Sequence, residues 1–513
     1  MRLHYTILLA VLLLCSLAFL LMPFWTVDDA FIAYRYGKNL VETGEFTWNP
    51  GEPAVEGYTG ALLPLISALL HLFTDNIVPL IRFISLYCLF GSAILMYRLG
   101  RIFDLTKVQS SILVAIFCLC PMVFVHVFSG LETMIFAYLI LMVIFQVVRQ
   151  MERGWPWWGI FVLFLSMITL SITRPEGFIF CGVVLVTLIF AAGTGTRKIA
   201  QFKILTLGLF VLTFNLLYCL WKLKTYGDWL PNTYYAKSFS GLFNPESIKA
   251  FLRFFGYYLV LPSSGALAIY LTGNQLEKGP RQKQTFILFV ALGFSIILVL
   301  GYARSQLFMN YASRFFFPLH GPLLLVLGVT TIRGWNQLKE NRLERPIQWK
   351  RMKHFLIGLT VFQVSIYAFK FYSERQFTKN MDAIMEEEYL PIGEMLKSNL
   401  SSRATVISYM DAGAISYHSG LKVIDFGRLN DLYLAREQPD SMAVIDYFYQ
   451  QDAEAVVFTN RSPDRFDYLD EAFSIQRDPR FRNYKLVGTY GNSRGFPYYQ
   501  LLYYRKDLMD GFY

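Results

Sequence analysis

Apolar residues run in long unbroken stretches through the first 372 positions, at 5–25, 77–97, 110–128, 133–148, 156–173, 177–193, 204–221, 256–272, 284–302, 315–332 and 354–372. Most are long enough to cross a hydrocarbon core about 30 Å thick, so the pattern predicts eleven transmembrane helices. The stretch 60–73, GALLPLISALLHLF, is too short to span and contains Pro64, and reads as a helix lying in the membrane interface. The first run follows Met1, Arg2 and His4 as a secretory leader would. It lacks a small-residue cleavage site and ten further runs follow it, which predicts an uncleaved anchor.

From about residue 373 the pattern changes to short β-branched runs separated by helical ones. Thr405 to Ser408, Lys422 to Phe426, Ala455 to Thr459, Tyr484 to Tyr490 and Tyr498 to Tyr504 predict strands, and Phe377 to Asn399 and Ser441 to Gln451 predict helices. The expected fold is therefore a polytopic α-helical membrane domain, 1–372, followed by a soluble α/β domain, 373–513. Loop 26–76 is its longest interruption.

Charge divides the chain at the same place. Residues 1–372 hold 31 Lys+Arg against 16 Asp+Glu, whereas 373–513 hold 16 against 21, so the two parts carry net +15 and −5. A single soluble enzyme is excluded. The overall +10 does not indicate nucleic acid, because the basic residues cluster in short segments between apolar runs, where they orient helices in a membrane. Their distribution places the N-terminus in the cytoplasm. An odd number of spans then places the soluble domain outside, with loops 26–76 and 222–255. The six cysteines all lie in or beside apolar segments, so neither a disulfide framework nor a metal-spaced Cys/His set is expected.

Asp28 and Asp29 stand side by side immediately after the first apolar run. Two carboxylates at a membrane boundary are costly to desolvate and raise one another's pKa, which suits a general base or a pair of metal ligands. Acids at this position also cap a following helix, and the dipeptide alone leaves both readings open.

The longer segment DDAFIAYRYGKNLVETGEFTWNPGEPAVEGYTG resembles the first outer loop of polyprenyl-phosphate-dependent membrane glycosyltransferases of the C-type (GT-C) fold. The bacterial terminal arabinofuranosyltransferase branch, with its motility-associated relatives, is the nearest likeness. Ser129-Gly130-Leu131-Glu132-Thr133, Thr173-Arg174-Pro175-Glu176-Gly177, the stretch from Tyr226 to Lys237, Arg314 with Pro318, and Asp411-Ala412-Gly413-Ala414-Ile415 continue it over nearly the whole chain. All but the last fall in loops expected on the outer face.

The resemblance implies an integral protein of a bacterial inner membrane. It would take a sugar, a pentofuranose among the candidates, from a polyprenyl-phosphate donor to a glycan, lipid or protein acceptor outside the cytoplasm. Such transfer needs a base for the acceptor hydroxyl, cations for the departing phosphate and an apolar groove for the polyprenyl chain. Asp28 is the expected base, with Asp29 positioning the acceptor or tuning its neighbour. Arg174 and Arg314 lead the candidates for the phosphate because guanidinium grips it bidentately. Lys237 and Arg304 follow, with snorkelling toward headgroups as the alternative.

Glu132 either faces a polar cavity or caps the next span. Arg35, Glu56 and Tyr58 either shape the acceptor site, with Tyr58 stacking on a sugar, or hold the loop fold. His126 and His320 read as structural, and Arg82 as snorkelling. A divalent metal on the carboxylates is an open alternative, and no other cofactor is indicated. DAGAISYHSG lacks nucleotide-fingerprint spacing, so the tail is expected to cover the outer cavity. A transporter or flippase would place its acids near the midplane and show inverted repeats, and this sequence shows neither. A non-catalytic assembly or motility factor binding lipid-linked glycan is the other alternative.

Overall fold

A computed structural model describes residues 3–192, 198–237, 244–271, 281–340, 346–463, 470–491 and 497–511. The membrane part comprises α1 (Leu3–Leu21), α2 (Asp28–Thr43), α3 (Leu62–His71), α4 (Val78–Ile102), α5 (Lys107–Cys118), α6 (Pro121–Phe128), α7 (Thr133–Arg153), α8 (Trp157–Thr173), α9 (Pro175–Ala192), α10 (Lys198–Tyr226), α11 (Asn232–Ala236), α12 (Pro245–Tyr258), α13 (Val260–Leu271), α14 (Arg281–Tyr302), α15 (His320–Glu340) and α16 (Pro346–Ile384). Among the described residues six helices are long and apolar enough to cross a membrane, or seven if α5 and α6, bent by 58° at the break before Pro121, form one span. Of the eleven expected runs, six fall on these helices and 110–128 on the bent pair; 156–173 and 177–193 meet the shorter apolar helices α8 and α9, and 256–272 and 315–332 meet α12–α13 and α15, so eleven full spans are not found among the described residues. Proline explains their break: Arg174, preceding Pro175, is forced into extended backbone at φ −155° and ψ 152°. The helix expected at 60–73 is α3.

α16 does not stop at residue 372. It runs on to Ile384, through a π-helical turn at Met385–Tyr389, and into α17 (Leu390–Asn399), so one continuous rod joins the membrane part to the tail. The tail then forms β1 (Thr405–Tyr409), α18 (Gly413–Ser419), β2 (Lys422–Asp425), α19 (Leu432–Arg436), α20 (Ser441–Gln450), β3 (Ala455–Asn460), α21 (Asp470–Arg477), β4 (Tyr484–Gly491) and β5 (Tyr499–Arg505). The sheet order is β2-β1-β3-β5-β4. β1 pairs in parallel with β2 and β3, and β5 is antiparallel to β3 and β4. All five expected strands are present within a residue or so at each end. β3 is buried throughout, as a central strand covered on both faces must be.

The site is positioned by α2. This helix is amphipathic only in part: Ala30, Phe31, Ile32, Tyr34, Arg35 and Tyr36 are all buried, because α2 is wedged between the membrane helices and the tail. Its entry is tied to the loop before α7 by a bond from the Val27 amide to the Ser129 carbonyl (3.1 Å). The Tyr34 hydroxyl donates to the Gly130 carbonyl at 2.6 Å. Arg82 of α4 donates to the Phe24 carbonyl (2.9 Å) and the Thr26 hydroxyl (2.7 Å), holding the segment that delivers the two aspartates.

Candidate functional site

The two adjacent aspartates point to different places. The Asp28 carboxylate accepts hydrogen bonds from the backbone amides of Gly413 (2.9 Å) and Ala414 (2.7 Å), at the start of α18. Gly413 is required there: a Cβ on it would lie 2.1 Å from the Asp28 carbonyl oxygen. The other end of α18 is held by Arg35. Its Nη1 donates to the Ser416 carbonyl and its Nη2 to the Leu421 carbonyl (2.7 Å) and Asn49 Oδ1 (2.9 Å), while Nε donates to the Trp48 carbonyl (2.8 Å). An acid at the N-terminus and a base at the C-terminus match the polarity of unpaired amides and carbonyls at helix ends. Burial pushes the Asp28 carboxyl well up from its ordinary value, Asp411 adds to the rise, and the amides of Ala414 and Gly413 oppose it. The sequence resemblance placed Asp28 at the chemistry; in the structure its carboxylate accepts from two amides of the tail.

Asp29 faces a buried polar pocket together with Tyr58, Glu132, Lys237 and Arg314. Arg314 Nη1 lies 3.6 Å from Asp29 Oδ2 and its Nη2 3.9 Å from Glu132 Oε1. These are long ion-pair contacts, and Arg314 Nε and Nη1 are buried with no hydrogen-bond partner among the described residues. Buried guanidinium donors left unpaired are costly, and an acceptor-rich anion in the pocket would satisfy them. Burial pushes the Lys237 ammonium below its ordinary value, with Asp29 opposing and Arg314 and Arg174 reinforcing the fall. Leu429 of the tail lines the pocket. Its loop is held by Asn232 Nδ2, which donates to the carbonyls of Arg428 (3.1 Å), Leu429 (3.1 Å) and Asp431 (3.0 Å).

Arg174 does not line this pocket. It is buried behind Glu132, with Nη1 at 3.3 Å from Glu132 Oε1 and Nη2 at 2.9 Å from Glu176 Oε1, and the Tyr302 hydroxyl donates to the same Glu176 oxygen. Phe315 separates the two arginines, its ring 5.9 Å from the Arg174 guanidinium and 5.8 Å from that of Arg314. Glu132 thus serves both cations, and Arg174 holds it in place. Glu56 pairs with Lys222 at 2.8 Å, buried beside the pocket and not in it. Tyr58 lines the pocket, and its hydroxyl is engaged with that of Tyr226 (2.9 Å). Arg304 is exposed and away from the pocket. Among the described residues no three His, Cys, Asp or Glu side chains converge as a metal-ligand set.

Sequence reasoning missed Glu176 and Lys222 as partners. Glu176 stood in a quoted motif directly after Arg174 and Pro175, which was its available signal. Lys222 lies at the end of an apolar run, where nothing distinguishes a buried ion pair from a snorkelling lysine.

A family described only as a domain of unknown function (DUF8728) matches residues 379–504, the tail alone. No curated protein matches the chain. Solved structures do. ArnT from Cupriavidus metallidurans bound to undecaprenyl phosphate aligns over 97% of each chain at 12% identity with a TM-score of 0.59. The oligosaccharyltransferase of Archaeoglobus fulgidus, tethered to an acceptor peptide, aligns over 96% of this chain and 74% of its own at 12% identity and a TM-score of 0.58. The archaeal enzyme AglB, in complex with an inhibitory peptide and a dolichol-phosphate, gives 0.58 at 10% identity. This protein therefore has the GT-C fold over almost its full length.

Proposed function

We propose that the protein is a membrane glycosyltransferase that moves a sugar from a polyprenyl-phosphate donor to an acceptor outside the cytoplasm. The observation that carries this reading is the pairing of the Asp29 carboxylate with the incompletely bonded Arg314 guanidinium in one buried pocket. The fold is shared with structures that hold undecaprenyl phosphate and dolichol-phosphate, which supports a lipid phosphate as the anion.

In the proposed reaction the acceptor hydroxyl attacks the anomeric carbon and the bond from that carbon to the phosphate oxygen breaks. Asp29 takes the hydroxyl proton, and the lipid phosphate leaves as an anion. Arg314 and Lys237 meet the charge that builds on the phosphate, as preplaced cations stabilise developing negative charge. Glu132 keeps Arg314 extended toward the pocket. The tail covers the site through Leu429 and is locked on by Asp28 and Arg35. A bacterial inner membrane with the tail on the outer face fits the charge distribution, and a pentofuranose remains among the candidate sugars on the likeness to the arabinofuranosyltransferase branch.

The experiment compares polyprenyl-phosphate sugars and envelope glycans of cells with and without the gene. Accumulation of one lipid-linked sugar with loss of one glycan residue is the expected result and names both substrates. Unchanged pools of both would reject the reading.

A further inference from the structure

The segment leading into Arg314 is strained. Met309, Ala312 and Ser313 have φ of +61°, +43° and +54°, left-handed values that β-carbon-bearing residues avoid and that persist only where surroundings enforce them. Three such residues within the five positions before a pocket cation need something to hold them. The 310–314 turn is also a partition: Arg314 lines the Asp29 pocket, while Ala312 and Ser313 line a half-open groove of about 650 Å³ on the other side, with Tyr257, Phe308 and Lys370. A shift in this turn would move the guanidinium and reshape both cavities.

His126 meets the turn from α6. It is fully buried, and its Nε2 lies 3.1 Å from the Ala312 carbonyl oxygen. A carbonyl only accepts, so the proton sits on Nε2, and Nδ1 is left without a partner among the described residues. The ring is wedged between Phe317 (4.6 Å between centroids), just after the turn, and Tyr311 (5.9 Å), within it. Tyr311 is itself held by edge contact with Trp25 (5.1 Å) and by stacking on Phe377 (5.7 Å). The imidazole is the polar tie in this aromatic box, and it bonds to the strained residue.

We propose that His126 is a positioning residue for Arg314. Its Nε2–H bond to the Ala312 carbonyl holds the left-handed turn and thereby keeps the guanidinium between Asp29 and Glu132. This rests on the reading of Arg314 as the phosphate-binding cation.

The test uses the full chain in lipid nanodiscs, with undecaprenyl phosphate as probe and native mass spectrometry as readout, alongside the melting temperature. His126→Phe keeps the ring and removes the donor, and should weaken binding about tenfold, the loss of one charge-assisted contact. His126→Gln, which restores an N–H, should bind within about threefold of the parent. Ala312→Gly added to His126→Phe should recover affinity, because glycine adopts the left-handed turn without a tie. Arg314→Met should bind as weakly as Arg314→Met combined with His126→Phe.

Parental affinity in His126→Phe beside weak binding in Arg314→Met overturns the positioning role alone, as does a fall in melting temperature without loss of affinity. Losses that multiply in the double variant also overturn it. Parental affinity in Arg314→Met overturns the phosphate reading and this proposal with it. If His126→Phe does not fold, His126→Gln and its comparison with His126→Ala decide in the same way.

Discussion

Asp28 and Arg35, seven residues apart on α2, grip opposite ends of one short helix of the tail, α18, the acid on its first amides and the base on its last carbonyls. In open α/β sheets a helix N-terminus after a parallel strand is a common anion site. Here α18 follows β1, and the group on its first amides is a carboxyl side chain of the membrane domain.

Removing either grip should loosen the tail. Asp28→Ala and Arg35→Ala are each expected to cost about 1.5–3 kcal/mol, the range for hydrogen bonds to charged groups, and to be strongly non-additive because they hold the same helix. Protease susceptibility of the tail in intact membranes measures this. In Asp28→Ala, transfer should fall only with the fraction of docked molecules. A tail as resistant as the parent's in both variants would reject the clamp.

Arg174 and Arg314 should separate by phenotype. Arg174→Met leaves Glu176 as a buried acid without its cation and Glu132 with only the 3.9 Å contact to Arg314, which is expected to cost about 3–5 kcal/mol. Arg314→Met removes only long contacts, so its melting temperature should stay near the parent's while lipid-phosphate binding falls. Equal stability losses in the two variants would contradict the division between a structural and a ligand-facing arginine.

Stability should fall as pH rises from mildly acidic to neutral. Burial raises the Asp425 carboxyl to about 6 and the Glu56 carboxyl to about 7, and it raises Asp28 and Asp411 as well. A carboxyl whose folded pKa lies above its unfolded one binds its proton more tightly when folded. Its contribution is complete below the unfolded value near 4 and is lost as pH passes the folded value. For Asp425 alone this amounts to about 3 kcal/mol. Melting curves in detergent between pH 5 and 7.5 should decline with pH, and Asp425→Asn should flatten part of that slope. A slope rising with pH would reverse the assignment.

The sequence made the broad architecture legible because its signals are local. Apolar run length marks membrane helices, short β-branched runs mark all five strands, and Pro64, Pro121 and Pro175 sit where helices start or break. The helical span count was less legible, since an apolar run does not reveal whether a bend or a shortened helix interrupts it. The runs at 156–173 and 177–193, expected as two spans, meet α8 and α9, which are shorter than the six helices long and apolar enough to cross a membrane.

The site was legible as a set of loops and less so as a division of labour. Asp28 and Asp29 are neighbours in sequence, yet successive helical positions are rotated by about 100° and face different partners. Which one meets α18 depends on a contact 385 residues away. Arg174 and Arg314 likewise share chemistry and differ only in depth, and that is fixed by Glu176 and Phe315.

Asp29→Asn in cells producing the protein at the parental level tests the central claim most directly, by measuring polyprenyl-phosphate sugar and acceptor glycan together. Loss of a general base is expected to slow transfer by about 10²–10⁴-fold, so the lipid-linked sugar should accumulate and the glycan residue disappear. Parental transfer by Asp29→Asn, with transfer abolished instead in a fully docked Asp28→Asn, would contradict the account.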